Sequence, residues 1–191
     1  GYMKDYVAEK LLRDAIAMPI YEGTSQIQAL MAMKDTLIGV IKNPQRFVKQ
    51  SANARWRAYS ARNTWERRKA RLEVLKFTAI QHLLTRLASE KFKELPGYGI
   101  NDWRSVLNDW DPKRDFSVAL LHAERLCMLL TDVEVVSILH EQAKKFPERG
   151  ELLERYLNRA EPRCRYWLDC ITTTGSRLLE ELAEPLPKAA K

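Results

Sequence analysis

Apolar residues in this chain recur every three to four positions and almost nowhere every two, and that periodicity restricts the fold most. From Thr24 to Ile41 they fall at Ile27, Leu30, Met31, Leu37, Ile38 and Ile41, the spacing of one helix face. The same spacing links Leu72, Leu75, Ala79, Leu83 and Leu87, and then Phe116, Leu120, Ala123, Cys127, Leu130 and Val133. A last set runs through Leu152, Tyr156, Trp167, Leu168 and Ile171 to Leu178 and Leu182. No segment alternates apolar and polar residues over a strand's length, and no Asn-Gly or Asp-Gly hairpin turn occurs. The expected fold is all-α, a helical bundle.

The helix breakers agree. Asn43-Pro44, Pro96-Gly97-Tyr98-Gly99, Asp111-Pro112 and Phe146-Pro147 mark helix ends or connections. Pro162 falls inside a helical stretch, where it either opens a new helix or kinks an old one. Pro185 and Pro187 close the last helix.

At 191 residues with 46% hydrophobic and 30% charged residues, the chain can bury a real core and is not a disordered polymer. No apolar run approaches a membrane span, and the sequence shows no basic-then-apolar signal-peptide pattern. Cys127, Cys164 and Cys170 are too few, and odd in number, for a disulfide framework. No Cys or His pair has zinc-ligand spacing, so no metal site is expected. His82, His122 and His140 sit in helical stretches and are read as core or surface imidazoles. Met31 and Met33 are read as core packing. A reducing, cytoplasmic setting is the expectation, and a chain that begins at Gly1 is expected to be part of a longer polypeptide.

The formal charge of +7 is concentrated. Residues 54–71 carry seven Arg and Lys against the single Glu66, a net of +6. Arg55, Arg62 and Lys69 are spaced by seven and would share one helical stripe. Trp56, Tyr59 and Trp65 interleave with these cations. A solvated helix face with its aromatics turned inward is the favoured reading. Peripheral membrane or subunit contact ranks second. Nucleic acid is not expected as the partner, because no nucleic-acid-binding fold accompanies the stretch.

The chemistry-bearing segment is at the front. Lys4 to Met18 reads as a helix that Pro19 interrupts, Ile20-Tyr21-Glu22-Gly23 as a short extended connector, and Thr24 as the N-cap of the next helix. The first turn of that helix offers unpaired N–H groups and a positive dipole end, which suit an anion. Glu22 is then equally readable as a site carboxylate or as a solvated loop acid.

Tyr21-Glu22-Gly23-Thr24-Ser25-Gln26-Ile27-Gln28 resembles the C-terminal signature of the acyl-CoA dehydrogenase family. Gly1-Tyr2-Met3, Asp5-Tyr6, Glu9-Lys10 and Leu12-Arg13-Asp14 are similar to the helix that precedes it in that family. The resemblance covers roughly residues 1–40. It implies an FAD enzyme that oxidises a fatty acyl-CoA to the 2-enoyl-CoA. Glu22 would be the catalytic base for the α proton, and the β hydrogen would leave as hydride to FAD. Tyr21 would lie beside the acyl chain and Gly23 at the thioester end. Thr24, Ser25 and Gln26 would contact FAD. The backbone N–H of Glu22 would help hold the thioester oxygen as enolate charge develops. A carboxylate closed into a dry pocket becomes a stronger base near neutral pH. The resemblance also implies electron-transfer flavoprotein as acceptor and a homo-oligomer.

The chain departs from the family pattern in three ways. It starts inside the family's glycine-rich stretch, so most FAD and acyl-CoA contacts would lie upstream. Ala29 stands where many short members carry Arg. It also continues far past the motif, as the longer bacterial members do. The expected division is residues 1–43 as the end of the catalytic helical domain and 44–191 as a helical extension.

Overall fold

A computed structural model describes residues 7–19, 21, 23–94 and 117–175. Among them are seven α-helices, one short 3-10 helix and no strand. The helices are α1 (Val7–Ala17), α2 (Ser25–Lys42), α3 (Pro44–Ser60), α4 (Thr64–Glu94), α5 (Ser117–Leu121), α6 (Ala123–Lys145) and α7 (Gly150–Thr173). The all-α bundle expected from the periodicity is what forms.

α6 is the centre, packed against α2, α4 and α7, while α3 lies on α4. α6 and α7 are joined by Phe146 and the 3-10 turn Pro147–Arg149, and so form an antiparallel hairpin. Residues 61–63 join α3 to α4 in the same manner. The core runs from Met33 and Leu37 of α2 through Leu72, Leu83 and Leu87 of α4. It continues through Leu126, Leu129 and Val136 of α6 to Leu153, Leu157 and Ile171 of α7. Each such side chain contributes roughly 1.5–3 kcal/mol by leaving water.

The apolar faces follow the expected spacing in part. Leu72, Ala79, Leu83 and Leu87 are buried as the spacing predicts. In α6 the expected Ala123 and Val133 are buried, but Cys127 and Leu130 lie at the margin, and Leu126, Leu129 and Val136 complete the stripe. α6 touches three neighbours and also carries exposed apolar residues, Met128 and Ile138, so spacing alone does not single out its core face. Leu152 is exposed, and Leu153 takes the core position. Met33 is buried, but Met31 is exposed and is not core packing. Pro162 is an exposed residue inside an uninterrupted α7. Pro44 opens α3 at its first turn, where its missing N–H costs nothing. The Pro96–Gly99 cluster, Asp111-Pro112, Phe116, Leu178, Leu182, Pro185 and Pro187 lie outside the described residues.

The basic stretch is not one helix. Arg55 is on α3, Arg62 in the connection and Lys69 on α4, so the expected stripe does not exist. Asn63 breaks it: its side-chain oxygen accepts the Glu66 N–H at 3.0 Å. An Asn with Glu three residues later is a helix-start signature.

Candidate functional site

α2 begins in the open. The Tyr21 N–H donates to the Ala17 carbonyl at 3.0 Å, which ties the connector to the end of α1. Gly23 has φ +117°, in the region that favours glycine, and a Cβ there would meet Ile27 only at ordinary contact distance. Backbone conformation rather than space therefore selects Gly at this position. Thr24 is extended (φ −66°, ψ 158°) and stands at the N-cap, but its hydroxyl makes no capping bond. Its carbonyl accepts the Gln28 N–H at 3.0 Å.

Gln28 supplies what the threonine does not. Its Nε2 donates to the carbonyls of Tyr21 (2.8 Å) and Gly23 (3.2 Å), pinning the connector against the first turn of α2. Nothing but its place in the motif marked this residue in the sequence. A clamp from seven residues away needs the turn to be folded before it can be seen. Tyr21, Thr24, Ser25 and Gln26 are exposed. Glu22 and Ile20 lie outside the described residues. The structure thus brings Tyr21, Gly23, Thr24, Ser25 and Gln26 together at one helix start. Their polar groups and the unpaired N–H groups of the first turn face away from the bundle. Such a start can donate hydrogen bonds to an anionic or carbonyl-bearing ligand.

Among the described residues the surroundings are apolar and exposed. Val7, Leu11, Leu12 and Ile16 of α1 are exposed, as are Ile27 and Met31 of α2, and α1 buries no residue. Ala29 is buried against the bundle at 2% exposure, so an Arg at this position would have to displace core.

A 39-residue stretch of the chain is similar to an acyl-CoA dehydrogenase. The match is to a protein of that name from Bacillus subtilis (strain 168), at 59% identity. It covers 20% of this chain, and the chain spans about a tenth of the length of that curated relative (10%). No family model matches the chain, and no solved structure matches it. The sequence relation to an acyl-CoA dehydrogenase therefore rests on a fifth of the chain, and the remainder is described by its structure alone.

Much of the cationic charge in residues 54–71 is spent inside the fold. Arg57 bonds Glu66 (2.6 Å) and Glu73, and Lys69 Nζ lies 3.9 Å from Glu73. Arg68 reaches Glu154 (2.5 Å), Glu161 (2.6 Å) and Asn158 (2.7 Å) on α7, and the Trp65 indole N–H donates to Glu154 at 2.9 Å. Trp65 packs on the core. Trp56 and Tyr59, by contrast, are 68% and 87% exposed, so two of the three aromatics turn outward rather than inward.

His122 and His140 are buried, and burial lowers both rings, with Arg125 adding to the effect at His122, which falls to about 4. His82 is also lowered, first by burial and then by Arg86. Cys127, Cys164 and Cys170 are free; burial, and then Asp132, push the Cys164 thiol up to about 12. Among the described residues no cluster of three His, Cys, Asp or Glu could hold a metal ion, and no helix is long and apolar enough to cross a membrane.

Proposed function

We propose that this chain is the C-terminal helical part of an FAD-dependent acyl-CoA dehydrogenase that oxidises a fatty acyl-CoA to its trans-2-enoyl-CoA. The 39-residue similarity to a protein of that name carries the reading. The open start of α2 supports it: the Thr24 hydroxyl makes no capping bond, and Thr24, Ser25 and Gln26 are exposed. These donors, with the free N–H groups of the first turn, fit contacts to the polar edge of FAD. When bound, FAD supplies the hydride acceptor for the β hydrogen. The Glu22 carboxylate takes the α proton, and its backbone N–H helps hold the thioester oxygen. Tyr21 lies beside the acyl chain, and Gly23 allows the chain to turn at the thioester end. Gln28 acts as a positioning residue, because it fixes the carbonyls on both sides of Glu22. Electron-transfer flavoprotein as acceptor and a homo-oligomeric assembly belong to the same proposal, as does the division into residues 1–43 and 44–191.

The test is made in the complete protein. Glu22→Gln is expected to lower kcat for acyl-CoA oxidation by about 10²–10⁴-fold, with flavin absorbance and acyl-CoA binding kept. Retention of full activity would remove Glu22 as the base.

A second reading, a helical interaction module, is favoured by one observation. Residues 44–62 contain no acid, and Trp56 and Tyr59 project from them beside Arg55 and Arg62. Such a face suits an anionic membrane surface better than nucleic acid. Salt-sensitive binding to anionic vesicles, lost in Trp56→Ala/Tyr59→Ala, is the expected outcome; no binding at low salt ends this reading.

A further inference from the structure

Two adjoining cavities open along α3 and α4. The larger, about 370 Å³, lies where Gly39 and Val40 of α2 meet Phe47 of α3 and Phe77 and Ile80 of α4. The smaller, about 270 Å³, lies between Gln50, Asn53 and Arg57 of α3 and Glu73 of α4. Gln50, Lys76 and Phe77 line both. The larger chamber has an apolar wall built on the edge-to-face pair Phe47–Phe77, whose centroids are 5.4 Å apart. The smaller is lined by amides and charged groups.

Lys76 stands at the junction without an anion. Its Nζ lies 4.8 Å from the centre of the Phe77 ring, and among the described residues it forms no ion pair. Glu73 is already engaged by Arg57 and Lys69. Burial holds the Lys76 ammonium below its usual range, against the pull of Glu73 and Glu134. Of the cations lining the chambers, Arg57 is taken by Glu66 and Glu73, whereas Lys76 has no ion pair among the described residues and is the one open to a ligand. A partly buried cation beside an apolar wall suits a ligand with one anionic group and a hydrocarbon body. The larger chamber is within the size range of small-molecule sites, about 300–1,000 Å³.

We propose that this double cavity binds a straight-chain monocarboxylate, with the carboxylate on Lys76 between the Gln50 and Asn53 amides and the chain along Phe47, Phe77 and Ile80. The site is separate from the motif: Gly39 is about 21 Å along α2 from Ser25, at 1.5 Å per residue. It does not depend on the dehydrogenase reading.

The probe is octanoate, titrated calorimetrically into the full chain, with octanol as the uncharged control. Octanoate is expected to bind and octanol to bind at least about tenfold more weakly. Lys76→Met is expected to weaken octanoate by about tenfold or more and Lys76→Arg to retain it. Gly39→Leu is expected to block binding without unfolding the chain, because a Cβ at Gly39 meets no atom within 4 Å. Equal binding of octanol, unaltered binding by a folded Lys76→Met, or no binding of octanoate at all would each overturn the proposal.

Discussion

Asp132 is a carboxylate only 4% exposed, and its neighbours account for it. The Tyr156 hydroxyl donates to it at 2.9 Å, and the Arg163 guanidinium grips both oxygens, with Nε at 2.7 Å. The pair joins α6 to α7 through a polar bond set among apolar neighbours. Burial, and then Asp132, raise the Tyr156 phenol to about 12, so it stays a donor throughout the useful pH range. Asp132→Ala leaves Tyr156 and Arg163 without their acceptor and should cost about 2–4 kcal/mol in urea denaturation. His122 gives the opposite kind of dependence. Its ring is held neutral, falling from 6.5 to about 4 through burial first and Arg125 second. Above pH 6.5 both folded and unfolded rings are neutral, and the full stability is present. As the pH falls towards 4 the unfolded ring takes up a proton that the folded ring refuses, so stability declines by about 2–3 kcal/mol. Urea midpoints measured across that window should show the decline, and His122→Gln should flatten it.

Two helical glycines should respond in opposite ways to alanine. A Cβ on Gly150, at the start of α7, would sit 2.6 Å from Trp65 Cη2. Trp65 is held by its bond to Glu154 and by the core, so it cannot retreat freely. Gly150→Ala is expected to cost about 1–3 kcal/mol. Gly39 has nothing within 4 Å of that position, and Gly39→Ala should stabilise by about 0.5–1 kcal/mol through helix propensity and a less flexible unfolded chain. Thermal melts of the two variants measure both signs. Neither glycine announces its role locally, since both occur in helical sequence. The Asn63–Glu66 start of α4 was legible, as Asn followed three residues later by Glu, yet the cationic run across it reads more readily as one continuous helix. Charge patterns are blind to a three-residue break; capping residues are not.

α1 contributes no buried residue, so the bundle does not depend on it. Deleting residues 1–18 is expected to move the melting temperature of the remainder by no more than about 2–4 °C, the shift that accompanies ~1 kcal/mol in a domain of this size. A larger drop would mean that α1 packs on the bundle in solution. The sequence by itself determined the helical class, the ends at Asn43-Pro44 and Phe146-Pro147, and the buried face of α4. Each is a consequence of residues within a turn or two of one another: periodic burial or a missing N–H. The tertiary structure decided which face of α6 is core, that Met31 and Tyr59 point outward, and that Arg68 is spent on Glu154 and Glu161. It also brought Lys76 to the junction of two cavities and Gln28 over the connector. Those outcomes depend on partners from other helices or on a folded turn, and side-chain spacing along one helix carries no record of what packs against it.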